Sequence, residues 1–369
     1  MTVFHVADGI CSEMIPPALP AALRAALDRK AHGLSRSDAA ARAAAISQTY
    51  RGGGGSGAIR GESDALAYAL ARMPATYAAV VASLNALREI RPEFAPGSLL
   101  DVGAGPGTAT WAAAQAFDSL DEFTALDANP ALRILALDLA ADHARLHGLR
   151  YAQSEASAGL RDAAASADLV VASYVIGEMN ADRQDALADL MWAATRDTLL
   201  VVEPGTPAGY QRILDLRRRL VAQGAHVVAP CPHNEECPLI TFSAKHVLGR
   251  DPRMGTASRE ENASKQKAAP DWCHFVQRLP RSRAHKHIKG AELPFEDEKF
   301  SYVALARTPA RQHPARVLAP PLVTKAEMRV KLCRPDGHAS LATFRRRDKA
   351  AYARVRRLGW GDTVNLIET

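Results

Sequence analysis

The chain has 369 residues, with 46 Lys and Arg against 40 Asp and Glu, a formal charge of +6. Apolar residues make up 47% and charged residues 23%, which excludes a wholly disordered chain, a collagen and a coiled coil. The length leaves room for two or three domains with a sizeable core. The charge is uneven. Residues 1–200 hold 16 basic and 23 acidic side chains, a net of −7, whereas residues 201–369 hold 30 and 17, a net of +13. That asymmetry points the second half toward a polyanion, nucleic acid before others. No uninterrupted apolar run approaches the ~18–20 residues of a membrane helix, so no membrane partner is expected.

Residues 1–95 read as a helical region. The Ala-rich stretches from residue 17 to 51 carry apolar spacings near 3.6, with Ser37 and Asp38 as the cap region of one helix. Residues 52–56 (GGGGS) break the pattern, and a second helical stretch runs from about Ser63 to Ile90, stopped by Pro92 and Pro96. From Ser98 short β-runs alternate with helix-length segments: SLLDVG, FTALD, RYAQS, DLVVASYV and DTLLVVEP, with AHVVAPC as a sixth candidate. This is the grammar of an α/β fold with a Rossmann-like parallel sheet over residues 96–230. Residues 231–314 read as a cysteine-bearing insertion that contains a polar surface loop at 247–270 and the returning strand FSYVALAR. Residues 315–369 read as a basic, partly β extension.

The turn LLDVGAGPGTAT carries the first chemistry. Gly103, Gly105 and Gly107 follow an apolar strand and lead into a helix, where glycine permits positive φ and close approach of a ligand to the backbone. Asp127 ends the next strand, about twenty residues on, where a carboxylate accepts the ribose hydroxyls of a nucleoside. The nicotinamide fingerprint needs a glycine at position 108, which is Thr108 here. The candidate cofactor-binding set is therefore Asp101, Gly103, Ala104, Gly105, Gly107, Thr108, Asp127 and Ser173. Asp168, Ser173, Tyr174 and Glu178 are candidates around the fourth strand, yet no Asn/Asp-Pro-Pro-Tyr or Pro-Cys motif is present and no catalytic residue is assigned.

Four of the five cysteines lie in the basic half: Cys231, Cys237, Cys273 and Cys333, with Cys11 apart. Thiolates suit zinc or an iron–sulfur cluster, and the short pair spacing of zinc ribbons is absent. His233 and His274 are alternative ligands for a Cys3His zinc site, and unrelated buried thiols remain the plain alternative. An odd, sparse cysteine set and an N-terminus without a signal-peptide pattern lead to the expectation of a reducing, cytoplasmic compartment.

RMPATYAA, LDVGAGPGTATWAA, EPGTPAGY, APCPHNEECPL, DWCHF, KFSYVALAR, LCRPDG and WGD occur in that order. Together they resemble the mitoribosomal small-subunit methyltransferase-like family, over roughly residues 60–365. The resemblance implies a class I methyltransferase fold that binds S-adenosylmethionine, a 4Fe–4S cluster held by Cys231, Cys237, Cys273 and Cys333, and association with the small ribosomal subunit and its rRNA during assembly. It implies a mitochondrial matrix location if the source is eukaryotic. Arg217–Arg219, Arg281, Arg283, Lys286, Lys289, Arg345–Arg347 and Arg354–Arg357 are the basic residues expected to grip phosphate. A non-catalytic assembly factor and a zinc-bearing RNA-binding module are the alternatives. The oligomeric state is not readable.

Overall fold

A computed structural model describes residues 3–5, 13–162, 166–240 and 271–367. The expected loop at 247–270 and Cys11 lie outside the described residues. The chain divides into two units. The larger holds residues 8–230 and 275–313, and the smaller holds 1–7, 231–274 and 314–369.

The elements run in chain order as β1 (Val3–His5), α1 (Ala21–Lys30), α2 (Arg36–Arg51), α3 (Glu62–Ile90), β2 (Ser98–Val102), α4 (Thr108–Ala116), β3 (Glu122–Asp127), α5 (Pro130–Ala140), β4 (Arg150–Gln153), α6 (Ala156–Asp162), β5 (Ala167–Ser173) and α7 (Ala181–Ala194). They continue as β6 (Thr195–Pro204), α8 (Pro207–Ala222), β7 (His226–Ala229), β8 (Phe275–Pro280), α9 (Arg283–Ile288), β9 (Phe295–Ala306), β10 (Ala315–Val317), β11 (Leu322–Val323), β12 (Glu327–Cys333), β13 (Ala339–Arg345), α10 (Lys349–Val355) and β14 (Thr363–Ile367).

The larger unit is built on a sheet of order β4-β3-β2-β5-β6-β9-β7, with β8 on the first part of β9. Strands β4, β3, β2, β5 and β6 are parallel. Strand β9 runs antiparallel between β6 and β7. The sixth candidate strand is thus present as β7, but β9 separates it from β6. The reason is visible in β9 itself. Phe300 to Ala306 are all buried, a continuous apolar run that needs cover on both faces and therefore sits inside the sheet. All five residues of β2 are buried as well.

Helix α3 is apolar nearly all round, which is the mark of a core helix. Leu84, Leu87, Ala75 and Val80 have no exposed surface, and Glu62 and Asp64 in its first turn complement the helix dipole. By length and composition it could cross a bilayer, yet 72% of that apolar window is buried within the protein. It packs with α2, α4, α5 and β9. The N-terminal helices are accordingly grouped with the parallel sheet rather than set apart as a region ending at residue 95. The cap of α2 is Ser35, whose Oγ accepts from Asp38 N, two residues before the expected position.

The smaller unit is an antiparallel sheet of order β1-β14-β10-β12-β11, with β13 on the other side of β12. It has its own core of Val317, Met328, Val330, Leu332, Phe344, Val355 and Val364. Alternating burial along β12 places Met328, Val330 and Leu332 inward, the period-2 pattern of a strand with one solvated face.

Candidate functional site

The β2–α4 turn is built by three glycines in the left-handed region: Gly103 at φ 67°, Gly105 at 54° and Gly107 at 80°. At Gly103 the need is also steric, because a Cβ would stand 2.5 Å from Val175 Cγ2. Gly103 N and Ala104 N both donate to Leu126 O, at 2.8 and 3.1 Å. Asp127 then pins the turn. Its Oδ2 accepts from Gly105 N at 3.0 Å and its Oδ1 from Asn129 N at 2.8 Å. Burial raises its carboxyl above the ordinary value, against these N–H bonds that lower it. A carboxylate has about four acceptor positions, so both oxygens retain capacity for ribose hydroxyls.

Asp101 has a different place. It is fully buried, and Oδ2 accepts from Thr110 N (2.9 Å) and Thr110 Oγ1 (2.8 Å). Its Oδ1 has no partner, and burial pushes the carboxyl up to about 7. Asp101 therefore braces the strand end against α4 rather than facing the cavity.

A cavity lies above the turn. Of the expected residues, Gly103, Ala104, Gly105, Thr108, Asp127 and Ser173 line it, while Asp101 and Gly107 do not. The opposite wall comes from α2, α3 and the segment between them, with Tyr50, Ser56, Tyr68 and Arg72. Sequence reasoning missed this wall, although RMPATYAA contains Arg72. Tyr50 and Tyr68 stack with centroids 5.9 Å apart. Asn129 Nδ2 donates to Ser56 O (2.9 Å) and Ile59 O (3.0 Å), which ties the glycine-rich segment to the β3 end.

After β5 the chain turns sharply. Tyr174 takes φ 61°, and its hydroxyl donates to Glu298 Oε1 at 2.9 Å. Arg72 Nη2 also meets Glu298 Oε1, at 3.3 Å. Glu178 lines the cavity rim, accepting from Ser56 N at 3.4 Å, with its carboxyl pushed up to about 7 chiefly by burial. Asp168 stands at the start of β5, not its end. It accepts from Gly97 N and Ser98 N and pairs with Arg196 at 2.9 Å, a structural tie remote from the turn.

The four cysteines of the basic half all fall in the smaller unit. None is in a disulfide. The Cys273 thiol is pushed well up, first by burial and then by Cys231, Cys237, Cys333 and Asp271, which lie within electrostatic reach of it. His233 Nε2 is 3.3 Å from Cys333 Sγ. His274 stacks on Trp272 (5.0 Å) and meets the edge of Trp360 (4.8 Å). Among the described residues no group of three or more His, Cys, Asp or Glu side chains is drawn into metal-binding geometry.

The basic residues separate into two kinds. Arg219 pairs with Asp185 and Asp189, Arg281 and Lys289 with Glu296, and Arg217 is buried. These are engaged within the larger unit. Arg283, Arg345, Arg346, Arg347, Arg356 and Arg357 are exposed. By unit, the smaller carries 18 basic and 11 acidic residues, a net of +7, and the larger 28 and 29, a net of −1.

A parallel sheet of this order, an antiparallel strand lodged beside its last parallel strand, a glycine turn after the central strand and an acid ending the next one define the class I methyltransferase fold. The chain belongs to the family described as mitochondrial small ribosomal subunit Rsm22, which matches residues 62–253 and 260–365. It is 29% identical over 327 residues to the human ribosome assembly protein METTL17, mitochondrial, covering 82% of this chain and 62% of that protein. It is 23% identical over 335 residues to the Schizosaccharomyces pombe Rsm22-cox11 tandem protein 2, mitochondrial, covering 82% of this chain and 43% of that protein. The chain thus spans less than two thirds of either relative. Both carry mitochondrial names, and neither supports the cytoplasmic expectation. A solved magnesium protoporphyrin IX methyltransferase from Synechocystis PCC 6803 with bound S-adenosylmethionine overlaps at TM-score 0.39 with 11% identity, over 71% of this chain and 90% of that one. The fold assignment rests on strand order and not on that overlap.

Proposed function

We propose that the chain binds S-adenosylmethionine in the larger unit and acts with the small ribosomal subunit during its assembly. The observation that carries this reading is the Asp127-pinned glycine turn opening on a cavity, in a chain of the Rsm22 family. Gly103, Ala104, Gly105, Thr108, Asp127 and Ser173 form the binding wall, with Asp101 and Gly107 shaping the turn beneath it. The bound cofactor would supply an electrophilic methyl group. Arg72 and Tyr174 hold each other through Glu298 and keep the far wall in place. Relatives named as mitochondrial favour the matrix as the working compartment.

In the same reading the smaller unit contacts rRNA and carries a 4Fe–4S cluster on Cys231, Cys237, Cys273 and Cys333. The support is the chemistry of the donor set: four cysteines, none in a disulfide, fall in one unit, and thiolates are ligands of iron–sulfur centres. A zinc site on the same residues is the competing form. A non-catalytic assembly factor is favoured over a working transferase by the strand end itself, where VASYVIGEM offers no recognised methyl-acceptor motif. Calorimetry on anaerobically purified protein tests the first claim; absence of binding by both S-adenosylmethionine and its demethylated product refutes it. Iron, sulfide and zinc analysis of the same preparation decides the metal. Methylation mapping of small-subunit rRNA and proteins from a deletion strain separates the transferase from the inactive factor.

A further inference from the structure

The ionisable groups of the cavity do not balance. Arg72, the cation lining it, is engaged with Glu298. Two carboxylates line it as well, Asp127 and Glu178. Asp127 is held by backbone N–H groups. Glu178 projects from the short turn Ile176–Glu178, and its carboxylate reaches across to the glycine-rich segment, where a Cβ on Gly55 would stand 2.6 Å from Oε2.

The groups that face Glu178 come from every neighbouring element. From the α2 side, Ser56 N donates to it and Tyr50 lines the same cavity. From the sheet come the like charges of Asp127 at the end of β3 and Glu203 on β6. Arg212 of α8 is spent on Glu203, at 2.7 Å. No Lys, Arg or His among the described residues forms an ion pair with Glu178. Two carboxylates lining one cavity, Asp127 and Glu178, with the lining cation Arg72 already engaged, are complementary to a ligand bearing positive charge.

We propose that Glu178 is a specificity-determining residue, which makes the cavity favour a cofactor charged at sulfur over the neutral thioether left when the methyl group is lost. This rests on the reading of the cavity as an S-adenosylmethionine site. The consequence holds whether or not the chain transfers methyl groups. A loaded cofactor neutralises the crowded carboxylates, and a spent one leaves them uncompensated and departs more readily. The upward shift of the Glu178 carboxyl, caused by burial and by those like charges, agrees with this placement.

The test is calorimetry on the full chain under anaerobic conditions with three probes: S-adenosylmethionine, S-adenosylhomocysteine and sinefungin, which carries an amine where the sulfonium would be. Glu178→Gln keeps an acceptor for Ser56 N and removes the charge. It is expected to weaken both cationic probes by about tenfold while leaving S-adenosylhomocysteine within about twofold. The wild-type preference for the cationic probes should likewise fall as pH drops below 7, a measurement that needs no variant. An equal loss for all three probes, or an unchanged ratio, overturns the proposal and leaves Glu178 as a support for Ser56. Failure of the wild type to bind any of the three overturns the cofactor reading itself.

Discussion

The two units of this chain are built by opposite strategies. The larger gathers most of its sheet from consecutive βα segments and places its cavity over one local motif, the turn after β2. The smaller assembles its sheet from two widely separated pieces of chain, and its four cysteines span positions 231 to 333. One unit is nearly neutral with its charges internally paired, and the other carries the excess of +7. The contrast teaches that a summed charge conceals where charge is available. Half of the second half's basic excess is used inside a unit whose acidic partners lie elsewhere in the sequence, as Arg219 is with Asp185 and Asp189.

The sharpest way to break the comparison is Cys273→Ser. If the smaller unit depends on a cluster, anaerobically purified variant protein loses iron, sulfide and visible absorption together, because ligand binding contributes to folding. Binding of S-adenosylmethionine by the larger unit should change less than about twofold. Parallel loss of both would join the units energetically.

In the larger unit, Gly103→Val forces a β-branched residue into positive φ against Val175. We expect a loss of about 2–4 kcal/mol in urea denaturation and loss of cofactor binding. The iron content should be unaffected.

Asp101→Ala removes the acceptor of both Thr110 bonds and should cost about 1–3 kcal/mol. Asp101 also predicts a pH slope. Its carboxyl loses its proton near 3.8 when unfolded and near 7 when folded, so the folded state binds more protons in between and stability falls as pH rises across that window. Asp101→Asn keeps an acceptor oxygen and should flatten that slope in denaturation curves from pH 4 to 7.

The smallest stability effects belong to the exposed arginines. Arg345→Glu with Arg347→Glu should leave folding within about 0.5 kcal/mol. It should weaken binding to small-subunit rRNA and reduce the salt slope by about one per lost phosphate contact. Arg219→Glu should do the reverse, lowering stability with little effect on RNA affinity. Equal effects on RNA from both would erase the distinction between the units.

Legibility followed the locality of the physics. Strands β2, β3, β5 and β6 were readable because each carries its own apolar run, and the turn was readable because glycine at positive φ and an acid at the next strand end are short-range requirements. Tyr50, Tyr68 and Arg72 were not readable as cavity residues. Tyr50 lies near the end of α2 and Tyr68 and Arg72 lie on α3, and helical periodicity reports burial but not which face meets the ligand. Asp168 illustrates the reverse error: a carboxylate near a promising strand proved to cap backbone N–H groups at the wrong end.

By itself the sequence determined the α/β class, the glycine turn with Asp127, the family and the concentration of cysteines in the basic half. These are encoded in spacing along the chain. Only the tertiary structure decided that β9 lodges between β6 and β7, that residues 3–5 close the smaller unit's sheet through β14, and that Asp101 braces the turn while Glu178 reaches its cavity. The physical reason is that strand insertion, ion pairing and burial of a carboxylate depend on groups brought together from distant positions, and no local pattern records which partners will meet.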